Sequence, residues 1–125
     1  MKSAVGMIEA IGLTAAITAL DAACKTADVT LIGFEKVIGA GKAVTVTVHI
    51  TGEVAAVQAG VDAGVAAALK TGSILAYHVI PRPHEEVQKL IESFQKKKHQ
   101  KNEVKKRNKT ETPKMTGSID GKPHQ

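Results

Sequence analysis

Apolar and polar positions fall into seven blocks along this chain. Ala4–Glu9 alternates with period two, with Val5, Met7 and Glu9 on one face and Ala4, Gly6 and Ile8 on the other, which predicts a strand. Gly12 interrupts it. Leu13, Ala16, Ile17, Leu20 and Cys24 then recur at helical spacing and predict an amphipathic helix over residues 13–27, with Asp28 as a boundary. Val29–Val37 is β-rich and is followed by Gly39-Ala40-Gly41, a tight loop in which glycine can take positive φ. Val44–Thr51 alternates cleanly, its Val/Ile face meant for a core and its Thr/His face for solvent or a partner. Gly52 closes that strand. Val54, Val57, Val61, Val65, Ala68 and Leu69 form a helical stripe through Glu53–Lys70, Thr71-Gly72 stops it, and Ser73–Ile80 is a last strand. Glu85–Gln95 predicts a short third helix with Val87, Leu90, Ile91 and Phe94 on one side. From Lys96 onward apolar residues thin out, and the segment is expected to be disordered.

The order is β-α-β-β-α-β-α. Its first six elements match the split βαβ, ferredoxin-like pattern of the α+β class: an antiparallel sheet with two helices on one face. The other face is then left for solvent or neighbouring subunits. The expected division is a domain over residues 1–95 and a basic extension over 96–125.

Charge sharpens that division. Of the net +5, residues 96–125 carry ten Lys/Arg against three acids, or +7, which leaves −2 on residues 1–95. The basic character belongs to the extension, so it does not make the folded part a nucleic-acid binder. Only Phe34, Tyr77 and Phe94 are aromatic, which leaves few platforms for stacking bases. The largely apolar stretch from Ala4 to Leu20 is broken by Glu9 and is too short to span a bilayer, so a cytoplasmic protein without a membrane partner is expected. Cys24 is alone, excludes an intrachain disulfide, and is expected to be a buried, inert thiol.

Candidate chemistry changes little. The five histidines show no ligand spacing and there are no paired cysteines, so no metal is expected. Glu85-Glu86 opens a helix, where the helix dipole accounts for two acids. No nucleophile–base–orienter set is visible, so neither catalysis nor a cofactor is expected. Pro81-Arg82-Pro83 does stand out: two prolines hold one guanidinium on a stiff, non-helical corner, suited to a fixed docking contact.

Gly6-Met7-Ile8-Glu9, Gly12-Leu13, Asp21-Ala22-Ala23-Cys24-Lys25 with Ala27, Val29–Lys36, Gly52–Val57, Asp62-Ala63-Gly64 and His78-Val79-Ile80-Pro81-Arg82-Pro83-His84 occur in one order over about residues 3–92. In that order they resemble the bacterial microcompartment shell-protein family, in its non-permuted form with a single BMC domain. The resemblance implies a homo-hexamer with a central pore for small polar metabolites. Such rings join other shell proteins edge to edge and enclose enzymes in the bacterial cytoplasm. It also implies that Lys25 and Arg82 lie at the tile edge. The pore loop would be Val37, Ile38, Gly39, Ala40, Gly41 and Lys42, with Lys42 an unexpected charge. The interval from Glu35 to Gly52 is longer than the family pattern, as a larger loop, a longer hairpin or a bulge would make it.

Two other readings compete. A trimeric small-molecule-binding signalling protein of the nitrogen-regulatory type shares the βαββαβ core, but it needs a long mobile loop and phosphate-binding basic residues; residues 1–95 hold only seven Lys/Arg. A basic-tailed nucleic-acid binder fails on core charge and aromatic content. The extension is better matched to acidic surfaces of encapsulated enzymes or of the shell itself, where six copies per ring would add avidity.

Overall fold

The computed structural model describes residues 3–39 and 43–111. Ala4–Ile11 forms β1, Leu13–Thr26 α1, Thr30–Ile38 β2, Val44–Gly52 β3, Val54–Ala68 α2, Ser73–Ile80 β4 and Glu85–Glu111 α3. The four strands make one antiparallel sheet in the order β2-β3-β1-β4. The core lies between this sheet and the α1/α2 pair. Ala4, Ile8 and Ala10 of β1 and Val46, Val48 and Ile50 of β3 meet Val57, Val61 and Val65 of α2 there. The Val/Ile face expected for β3 is the one that is buried.

Helix α1 sits on this layer by a different face from the one its large residues suggest. Ala15, Ala16, Ala19 and Ala23 are buried, while Leu13, Ile17 and Cys24 are exposed. The expected apolar stripe and the buried thiol are both corrected here. The cause is close helix packing: a Cβ on Gly64 would stand 2.7 Å from the carbonyl oxygen of Ala19 and 2.9 Å from Ile8 Cδ1. Only small side chains fit where two backbones approach that closely, so the alanines turn inward and the larger residues outward.

In the interval from Glu35 to Gly52 the β2–β3 hairpin is long. Val37, the last residue of the β-rich run and the first assigned to the pore loop, pairs with Thr45, and Ile38, expected in that loop, pairs with Val44. Earlier in β2 the register shifts between Leu31 and Gly33, a bulge at which Ile32 is buried. The turn is closed by the Gly39 N–H donating to the Ala43 carbonyl at 2.9 Å.

Helix α3 runs sixteen residues past the expected end at Gln95, and the disorder expected from Lys96 does not hold for residues 96–111. That stretch is mostly Lys, Gln, Glu and Arg, all good helix formers, with no Gly or Pro before Pro113. Its dense charge suggested an unfolded segment, yet charge alone does not lower helix propensity enough to break a helix already started. Residues 112–125, the rest of the expected disordered extension, lie outside the described residues. The first turns of α3 also cover part of the sheet face expected to be open, because Phe94 lies over Gly33 of β2 and beside His49 of β3.

Candidate assembly surface

The Pro81–His84 corner links β4 to α3. Pro83 is buried and anchors it, while Arg82 is exposed and makes no hydrogen bond or ion pair among the described residues. The His84 Nδ1 accepts the Glu86 N–H at 3.2 Å, and the His84 carbonyl accepts the Gln88 N–H at 3.0 Å. This histidine therefore caps α3, satisfying donors that a helix start leaves open. The corner is fixed from both sides and presents the guanidinium outward.

Lys25 lies in the last turn of α1. It pairs with Asp21 one turn earlier at 2.8 Å, but its side chain remains 75% exposed. An exposed i,i+4 pair contributes about 0.3–0.5 kcal/mol, so little free energy opposes an exchange of Asp21 for another acceptor.

Strand register relates these residues to the expected pore segment. Ala4 opposes Gly52, Val5 opposes Ile80, and Thr30 opposes Thr51. The starts of β1 and β2 and the ends of β3 and β4 therefore share one end of the sheet. Lys25, just before β2, and Arg82, just after β4, both belong to that end. At the other end Ile38 opposes Val44 and Ile11 opposes Thr45, and the Gly39 N–H to Ala43 carbonyl bond follows. About eight residues of strand, roughly 26 Å, separate the two ends. Val37 and Ile38 are exposed there, and Gly39 follows; Ala40, Gly41 and Lys42 lie outside the described residues.

The surface between the two ends is apolar in many places. Phe34, Val37 and Ile38 on edge strand β2, Leu75 and Tyr77 on edge strand β4, and Leu13 and Ile17 on α1 are exposed. Edge strands bearing large apolar residues invite pairing with further chains.

One feature escaped the sequence reading. The Phe94 face of α3 continues through Lys97 and Lys101 and forms a cleft against β2, with His49 in its wall. The His49 Nε2 is buried with no hydrogen-bond partner among the described residues. Burial lowers the His49 pKa below its ordinary value, and the Glu35 carboxylate opposes part of that effect. The signal was present as the i, i+3, i+7 spacing of Phe94, Lys97 and Lys101, and it needed a helix past Gln95 to acquire meaning. Among the described residues no group of His, Cys, Asp and Glu could hold a metal ion, and no helix is long and apolar enough to cross a membrane.

Comparison with known proteins follows the same lines. The BMC domain family model matches residues 4–83. The chain is 53% identical over 90 residues to the bacterial microcompartment shell protein PduA of Citrobacter freundii, covering 72% of this chain and 92% of that one. It is 46% identical over 93 residues to the carboxysome shell protein CcmK2 of Synechococcus elongatus, covering 73% and 87%. A crystal structure of a microcompartments protein from Desulfitobacterium hafniense superposes with a TM-score of 0.62 at 35% identity; the match covers 71% of this chain and 48% of that chain, about half its length. These relatives displace the nitrogen-regulatory alternative. The βαββαβ order, the four-stranded sheet and the extent of these matches make the chain a single-domain member of the bacterial microcompartment shell-protein family.

Proposed function

We propose that this shell protein works as a hexameric tile. Six copies ring a central pore lined by the segment from Val37 to Lys42, and tiles meet edge to edge through Lys25 and Arg82. The observation that carries this reading is the polarity of the sheet. Val37 and Ile38, where the segment assigned to the pore begins, pair at one end, and both residues assigned to the edge flank strand termini at the other. A ring subunit requires that arrangement, with one end toward the axis and the opposite end toward the rim. Closed rings are the common way in which identical subunits cover one another's exposed apolar surface.

Function then follows from assembly and permeability, without catalysis. A small-residue pore segment lets backbone N–H groups approach the axis and admit small polar metabolites, and a lysine at position 42 would be repeated six times around it. Beyond the rim contacts, the basic arm of α3 offers an electrostatic tether to acidic enzymes inside a shell in the bacterial cytoplasm. Electron microscopy of the overproduced protein tests the tile reading directly. Flat sheets or tubes with a hexagonal repeat are expected, and dispersed particles without any lattice at high concentration would overturn it.

A further inference from the structure

The cleft between α3 and β2 lies apart from the residues assigned above to the pore and the tile edge. The BMC domain match ends at Pro83 and α3 begins at Glu85, so one wall of this cleft is built by a helix outside the matched domain. We propose that the cleft binds a small amphiphilic monoanion, an apolar body carrying a single carboxylate or sulfonate head.

The cavity measures about 370 Å³, within the roughly 300–1,000 Å³ of small-molecule sites. Its walls are mainly apolar, from Leu31, Phe34 and the ring of Phe94. Gly33 keeps the space open: a Cβ there would already stand 3.9 Å from Phe94 Cβ, and any larger side chain would reach into the cleft. At the bulge between Leu31 and Gly33, Ile32 is buried in the cleft lining, and Phe34, 54% exposed, stands on the rim. An apolar ligand body would cover that ring.

Charge decides what the head must be. Lys97 and Lys101 stand one helical turn apart, about 6 Å along the axis, on the same face of α3. Two ammonium groups at that spacing can share one anionic head through charge-assisted hydrogen bonds. Glu35 is the opposing charge in the lining, so with neutral His49 the cleft carries a net +1. That balance suits a monoanion and penalises a dianion. The unpartnered His49 Nε2 adds one polar atom in the wall for a ligand hydroxyl or amide.

The test uses the full-length, assembled protein and displacement of 8-anilinonaphthalene-1-sulfonate fluorescence. Octanoate is expected to displace the dye at a concentration about tenfold below octanol, which has the same body without the charge. Acetate, which has the charge without the body, is expected to leave the dye in place. In the double variant Lys97→Gln/Lys101→Gln the octanoate midpoint should rise about tenfold while the octanol midpoint stays unchanged. Gly33→Leu should remove this dye site while assembly, read separately by native mass, is retained. Equal midpoints for octanoate and octanol, or an octanoate midpoint unchanged in the double variant, would overturn the proposal. Failure of octanoate to displace the dye would also overturn it.

Discussion

Gly64 and Gly60 sit one turn apart on α2, yet they tolerate different things. A Cβ at Gly64 meets the backbone of α1 at 2.7 Å, whereas one at Gly60 finds ordinary contacts at 3.5–3.6 Å. Gly64→Ala should therefore cost about 1–3 kcal/mol through forced separation of the helices. Gly60→Ala should be neutral or add up to about 1 kcal/mol through helix propensity. Urea unfolding midpoints check both, and equal effects would contradict the packing described. His49 supplies a pH dependence. Its pKa is depressed in the folded chain, mainly by burial, so the unfolded chain takes up the proton first as pH falls. Its contribution to stability is thus complete above the ordinary imidazole value of about 6.5 and is lost as pH falls below it. Lys97 and Lys101 oppose a charge there and Glu35 favours one. Melting temperature should fall between pH 6.5 and 5, and His49→Phe should flatten that fall; an unchanged slope in the variant would remove His49 as its source. The placement of His49 on the outer face of β3 was legible from strict alternation. The inward turn of the α1 alanines was not, because the sequence pattern weights large apolar residues and the geometry rewards small ones.

At the scale of elements, strands and helices were legible wherever period and punctuation agreed. Val44–Thr51 and Ser73–Ile80 carried clean strand signals, and Gly12 and Gly52 marked real boundaries. The ends of β2 and α3 were not legible. Val37 and Ile38 looked like the approach to a glycine loop, and cross-strand pairing to Thr45 and Val44 overrode that local reading. Residues 96–111 looked unfolded because their charge masked helix-forming side chains. Their packing is sparse, since Val104 is the one large apolar residue among them and is itself exposed. This half of α3 therefore rests on propensity and on the packed turns before it. Lys97, Lys101 and Lys105 repeat at i,i+4, and each like-charge pair costs about 0.2–0.5 kcal/mol at low salt. Far-UV circular dichroism should show helical signal lost on truncation after Gln95, and a gain in helicity of the full chain from low to moderate salt. A truncated protein with the same molar helical signal as the full chain would show that the arm is not helical in solution.

At the scale of the whole molecule, the resemblance in ordered motifs gave the family. Strand register then supplied what motifs cannot, the placement of Lys25 and Arg82 at the end of the sheet opposite the Ile38–Val44 pair. Because the Lys25–Asp21 pair is exposed and weak and Arg82 is held ready on a capped corner, their removal should leave the subunit fold intact. Lys25→Ala and Arg82→Ala are expected to yield soluble rings that no longer form sheets under the electron microscope; normal sheets from both variants would show that the rim lies elsewhere. Deleting residues 96–125 should spare the ring, because the core cluster contains no residue of that segment. The central claim is that six copies close around one axis. Native mass spectrometry of the purified full-length chain measures it most directly. A dominant species at six times the 13.1 kDa chain mass is the result this account predicts, and a trimer or a persistent monomer at high concentration would contradict it.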